Sequence, residues 1–185
     1  MAGARSLTQD EHLKVKESFD TLRNKCLYLL GKNTGFRISE LLSITIEQVL
    51  NKDYVKVMRR NTKGKIESRE VILNKEAKEA ILNYISSLPS VNSNAPLFVS
   101  RNGGGLKQLS RFMGAKILKD AFHLAGLQGT TTSHSMRKSY ALNIYNKSGH
   151  DLLLVQRALG HSNINTTIRY LPVDQDKLNS IILDE

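Results

Sequence analysis

Three short stretches of this sequence carry side chains suited to work at a phosphate. "TGFRISEL" holds Arg37 with Glu40 three residues on, "HSMRKSYA" holds His134 and Arg137, and "LGHSNINTTIRYL" holds His161 and, nine residues later, Tyr170. A spacing of three puts His134 and Arg137 on one face of a helix. Guanidinium offers paired donors to an oxyanion and keeps its charge, while imidazole can hold or release a proton near neutral pH. Each residue taken singly also has an ordinary reading. Arg37 can be a surface charge paired with Glu40, His134 and Arg137 a helix-start histidine and a solvated arginine, His161 a turn residue after Gly160, and Tyr170 a half-buried core tyrosine.

Competing chemistries find less support. The five histidines are scattered and have no cysteine partners at zinc spacing, and "NGGGLK" lacks the lysine and serine positions of a phosphate-binding P-loop. No metal and no nucleotide cofactor is therefore expected. The single cysteine, Cys26, lies in the apolar run "CLYLL" and reads as a core thiol, so no intrachain disulfide can form. The first residues, "MAGARSLTQDEH", lack the apolar centre of a signal peptide, and no apolar run approaches the ~18 residues of a membrane span. A cytoplasmic, nucleoid-associated protein without a membrane partner is expected.

Composition points to the kind of partner. The chain has 185 residues, is 40% hydrophobic and carries a formal net charge of +10, enough for one sizeable core with a polyanion as partner, nucleic acid before membrane. The charge is uneven: beyond Tyr170, Asp174, Asp176, Asp184 and Glu185 face only Lys177, so the acidic tail is not expected to touch the polyanion.

The elements that must position these residues are mostly helical. Thr8 and Glu11 have capping-box spacing and open a first helix, and Leu22, Cys26, Leu29 and Leu30 keep a helical period up to "GKNTG". "SELLSI" is a short helical turn. "DYVKVM" and "REVIL" are β-branched runs separated by the polar "RRNTKGKIES", a hairpin with a basic tip. Asn74 caps a helix with an apolar stripe ending before Pro89, and "PLFVS" is extended. "LKQLSRFMGAKILKDAFHLAG" reads as one helix with a basic side of Lys107, Arg111, Lys116 and Lys119, stopping at Gly126. Ser133 is expected to cap the helix carrying His134 and Arg137. "DLLLVQRALG", a short "TTIRYL" and a last amphipathic helix in "DQDKLNSIILDE" follow. The fold class is mainly α with a small antiparallel β-sheet (α+β).

Taken together and in this order, "TGFRISEL", "HSMRKSYA" and "LGHSNINTTIRYL" resemble the tyrosine recombinases, the family of phage integrases and chromosome-dimer resolvases. The resemblance runs from about residue 8 to the end of the sequence. It implies a site-specific recombinase that cleaves and rejoins DNA strands through a 3′-phosphotyrosine intermediate, without metal or ATP. In that scheme Tyr170 is the nucleophile, and Arg37 and Arg137 clamp the non-bridging oxygens. His134 accepts the tyrosine proton, His161 donates to the phosphate, and Glu40 orients an arginine or His134. The family's general acid is a lysine at the hairpin tip, here Lys63, with Lys65 as its rival. Arg59, Arg60, Lys107, Arg111, Lys116, Lys119 and Lys138 are expected to contact the DNA backbone, or to be solvated charges.

The resemblance also sets the expected organisation. Residues 1–7 read as a flexible leader or linker, 8–173 as the catalytic domain, and 174–185 as a C-terminal amphipathic helix that docks on a neighbouring protomer or packs on its own domain. The family's N-terminal core-binding domain has no counterpart in these residues, as expected of a catalytic fragment or a short member. The expected partner is a double-stranded recombination site, held by a homo-tetramer on paired sites and by a monomer in free solution, with a prokaryotic or mobile-element origin. The alternatives are a non-catalytic DNA-binding or regulatory module of the same fold, and a relaxase resembling type IB topoisomerases.

Overall fold

The computed structural model describes residues 3–60, 66–100 and 107–171. Helix α1 (Gln9–Glu17) starts on the expected capping box: Thr8 accepts from the Glu11 amide, and the Glu11 carboxylate accepts from the Thr8 amide. Helix α2 (Leu22–Thr34) buries most of its circumference, with Cys26, Leu27, Tyr28, Leu29 and Leu30 all inside, and so forms the central post. It packs on α4 (Lys75–Ser86) on one side and α6 (Ser133–Lys147) on another. Asn74 caps α4, and the α4 residue Glu76 accepts from Lys16 of α1 and from Lys32 and Asn33 of α2, tying three helices together.

Strands β1 (Tyr54–Arg60) and β2 (Ile66–Ile72) form the one sheet among the described residues, an antiparallel pair in which Val55 faces Val71 and Val57 faces Arg69. Period-two alternation puts Val55, Val57 and Val71 in the core and leaves Tyr54, Met58 and Ile72 exposed. Arg69 therefore occupies an inward register position among valines. Helices α3 (Ile38–Leu42), α5 (Arg111–Leu124), α7 (Leu152–Leu159) and α8 (Ile164–Ile168) complete the described elements, with a 3-10 turn at Ile46–Gln48. The main apolar core lies around α2. A smaller cluster of Ala141, Val155 and Leu159, flanked by Tyr140, Ile144, Tyr145 and Tyr170, joins α6 to α7.

Three sequence expectations need correction. The basic helix starts at Arg111, capped by Ser110, because Leu109 and its neighbours are taken up by pairing with the "PLFVS" segment: Gln108 bridges Val99, and the Lys107 carbonyl accepts from Ser100. Lys107 is thus exposed in an extended stretch and is not on the helix. The cap of α6 is Thr132 rather than Ser133; its side chain accepts from the His134 amide, and Ser135 Oγ accepts from the Thr132 amide. Nor is the stretch before Thr8 a loose leader throughout. Arg5 forms a 2.5 Å ion pair with Glu11 and donates to the Gln128 carbonyl, and buried Leu7 donates its amide to Ser139. The hairpin lysines Lys63 and Lys65 and the tail 174–185 lie outside the described residues.

Candidate active site

The site is built on the C-terminal end of α2. That helix ends at Gly35, whose φ of +60° is left-handed, and the chain turns through Phe36 into Arg37 at the start of α3. Glu40 fixes Arg37 twice: one carboxylate oxygen accepts from the Arg37 amide at 2.7 Å and the other from its guanidinium at 2.9 Å. Glu40 is itself buried, and its carboxylate lies 4.0 Å from Arg137 and 3.9 Å from Arg69. The expected i,i+3 pair therefore exists, as the core of a cluster of three arginines around one carboxylate.

Arg137, on the first turns of α6, is fully buried. Its Nη1 donates to the Gly35 carbonyl, and its Nη2 donates to the Leu159 carbonyl at 2.6 Å and meets His161 Nε2 at 3.0 Å. Arginine has donors only, so His161 Nε2 accepts in this contact. The ring proton then sits on Nδ1, which is 2.9 Å from the Thr167 hydroxyl. Burial, followed by the charges of Arg37 and Arg69, pushes the Arg137 guanidinium down to about 10, where it is still protonated near neutral pH.

Tyr170 closes this arrangement from the turn after α8. Its ring centroid lies 5.3 Å from that of His161, and the Arg137 guanidinium carbon stands 5.9 Å from the Tyr170 ring. His134 stands exposed in the first turn of α6. Desolvation, followed by the positive charges of Arg137, Arg37, Arg111 and Lys138, holds its imidazole below the ordinary value. Neutral His134 can accept a proton at physiological pH.

The structure thus brings together Arg37, Glu40, Arg137, His161 and Tyr170 from the three stretches of the chain, with His134 in the first turn of α6 under the electrostatic influence of Arg137 and Arg37. Of the proposed DNA contacts, Arg111, Lys116 and Lys119 are exposed on α5, with Lys116 paired to Asp120 at 2.6 Å, and Lys138 is half-buried on α6. Arg59 and Arg60 end β1, and their side chains lie outside the described residues. Sequence reasoning missed Thr167, which holds His161, and Arg69. Arg69 donates to the Thr34 carbonyl at 2.6 Å and to that of Gly35 at 3.4 Å. The available signal for Arg69 was a charge in the inward register of a strand.

A mostly helical domain with a small two-stranded antiparallel sheet is the fold of tyrosine recombinase catalytic domains. The chain belongs to the phage integrase family, whose model matches residues 5–177. It is 30% identical to the probable integrase/recombinase YoeC of Bacillus subtilis over 93% of this chain and 90% of that protein. It is 34% identical to tyrosine recombinase XerD of Oceanobacillus iheyensis over 95% of this chain and 60% of that one. Among solved structures, XerH recombinase bound to difH substrate in a pre-cleavage complex superposes with a TM-score of 0.70 at 27% identity, over 96% of this chain and 53% of that one. The chain thus spans most of YoeC but only a little over half of the two Xer recombinases. Among the described residues, no helix is long and apolar enough to cross a membrane.

Proposed function

We propose that this chain is the strand-cleaving part of a site-specific DNA recombinase. Tyr170 Oη attacks the scissile phosphorus, a P–O bond to tyrosine forms, and the bond to the 5′-oxygen breaks. The tyrosine proton passes to His134, and the departing 5′-oxygen takes a proton from Lys63, with Lys65 as the alternative donor. One P–O ester bond replaces another, so rejoining by the 5′-hydroxyl needs no ATP. Arg37 and Arg137 take the non-bridging oxygens, where charge grows in the transition state, and His161 adds a donor once its Nε2 carries a proton. Glu40 orients Arg37.

The observation that carries this reading is the meeting of Tyr170, His161 and Arg137: a tyrosine ring 5.3 Å from a histidine that is itself 3.0 Å from a buried arginine. A DNA-binding module without catalysis would account for the net charge of +10 but has no use for that triad. The substrate is a double-stranded recombination site, bound by a homo-tetramer on paired sites, with Arg59, Arg60, Lys107, Arg111, Lys116, Lys119 and Lys138 on its phosphates. The C-terminal segment 174–185 docks on a neighbouring protomer.

The test is an adduct assay. Wild-type and Tyr170→Phe protein are incubated with sheared DNA of the source genome, denatured in detergent, and the DNA that stays attached is sequenced. Wild-type adducts at a discrete site, absent in Tyr170→Phe despite unchanged DNA binding, support the reading. Adducts surviving in Tyr170→Phe overturn the nucleophile, and supercoil relaxation without exchange of strands would point to a relaxase.

A further inference from the structure

Arg69 lies outside the three motifs that carry the family resemblance, yet it reaches the Arg37 turn, the helix of Arg137 and the turn before His161. Its guanidinium binds the last carbonyls of α2, Thr34 at 2.6 Å and Gly35 at 3.4 Å, and so shares the Gly35 oxygen with Arg137. It lies over Phe36 with 4.8 Å from its carbon to the ring centroid, and 6.0 Å from the centroid of Tyr140 on α6. It approaches the Glu40 carboxylate at 3.9 Å. Its stem lies against Gly160, the residue before His161, so closely that a Cβ there would meet Arg69 Cδ at 3.0 Å. One side chain therefore spans the turn carrying Arg37, the helix carrying Arg137 and the turn carrying His161.

Fold stability alone does not account for this residue. Its side chain is 10% exposed, burial holds its guanidinium below the ordinary value, and its charge pushes down that of Arg137 as well. Among the described residues, the buried side-chain nitrogen and oxygen atoms left without a hydrogen-bond partner are the Nε atoms of Arg69 and Arg137. An apolar residue of similar volume in place of a buried charge is often neutral or stabilising. What an apolar residue cannot do is hold two main-chain carbonyls at once while stacking on an aromatic ring, a task suited to the flat fork of guanidinium.

We propose that Arg69 is a positioning residue of the phosphate site, holding the Thr34–Arg37 turn and the Gly160–His161 turn in register with Arg137. Because Arg69 sits on β2, the same contacts tie that strand to the end of α2. This deepens the recombinase reading and rests on it for its effect on rate, though not for its effect on the turn.

Two variants and two readouts test it. Arg69→Lys keeps the charge and loses the fork; Arg69→Met keeps the volume and loses both. Hydrogen exchange is followed at the Arg37 amide, which donates to Glu40, against the amides of α4. Adduct formation is timed on sheared genomic DNA under single-turnover conditions, alongside DNA affinity. In both variants exchange at Arg37 is expected to speed up about tenfold while α4 is unchanged. Adduct formation should slow by roughly a hundredfold, the effect of a shift of about 1 Å in a reacting group, with DNA affinity within about threefold of wild type. Unchanged exchange at Arg37 in the folded variants overturns the proposal whatever the activity. Faster exchange with a wild-type cleavage rate overturns it as well. A wild-type protein that makes no adduct would sink the recombinase reading and leave the exchange data to decide whether Arg69 positions the turn.

Discussion

Gly35 is the position where the smallest chemical change should do the most local damage, and its size can be worked from neighbouring geometry. Gly35→Ala meets two obstacles. The backbone is left-handed, with φ of +60°, which costs a non-glycine residue about 1–2 kcal/mol. The added Cβ would also overlap Tyr140 Cδ1 and stand 2.8 Å from Cγ, a clash with a ring held in the α6–α7 cluster, worth about 1–3 kcal/mol more. Gly126 provides the control, since its φ is +71° but a Cβ there meets nothing within 4 Å. Gly126→Ala should therefore carry only the backbone cost. Urea unfolding should find Gly35→Ala destabilised by about 2–5 kcal/mol and Gly126→Ala by about 1–2 kcal/mol. Relieving the clash moves the Gly35 carbonyl or the ring, and both guanidiniums follow that carbonyl. Adduct formation by the folded Gly35→Ala protein should then drop by roughly a hundredfold, while Gly126→Ala keeps its rate. Equal destabilisation of the two variants, or a Gly35→Ala protein cleaving at wild-type speed, would refute the reasoning.

Arg137→Lys leaves a single ammonium where the fork served two carbonyls and a histidine. Cleavage should fall by about 10²–10³ with the lost transition-state contacts, and near-normal adduct yield in a folded variant would show Arg137 to be peripheral. Stability should also depend on pH through His12, which is buried beside the Tyr28 hydroxyl and held at about 4 by desolvation and by Lys32. A histidine whose folded value lies below its unfolded value of 6.5 contributes stability that is present above pH 6.5 and is lost as pH falls toward 4. Between pH 7 and pH 5 the loss should be about 2 kcal/mol in urea unfolding, and His12→Gln should remove most of it. Glu11 and Glu76, held at about 2, come into play below the ordinary carboxylate value of 4.5, outside that window. A wild-type stability flat across the window would show that His12 takes up its proton without opening the core.

Much of this site was legible because its residues sit at element boundaries that the sequence marks clearly. Thr8 with Glu11, and Asn74, announce their helices through side chains that satisfy orphan amides, and the β-branched runs at 54–58 and 69–73 announce the hairpin. The start of α5 was misread because Leu106 and Leu109 have helical spacing, while pairing of Gln108 with Val99 claims that backbone first. That competition is between segments distant in sequence, and local periodicity cannot register it. Thr132 and Ser133 are both good caps, so the choice between them depended on where Ser135 could reach back. Arg69 went unnoticed because its partners are main-chain carbonyls at Thr34 and Gly35, and a carbonyl has no residue type to read.

The contacts that assemble the site are long in sequence. Arg137 reaches back 102 positions to Gly35, Ser139 on the same helix reaches back 132 to Leu7, and Tyr170 follows α8 in the chain. Loops of that length must close before any of these contacts stabilises anything, which makes the site late to form in folding. The consequence concerns time during synthesis. A nascent chain that has emerged as far as α5 already has α2, the Arg37 turn and the hairpin, yet it has no Arg137, no His161 and no tyrosine. Whatever reactivity the finished site has toward DNA is withheld from every nascent chain that stops short of Tyr170.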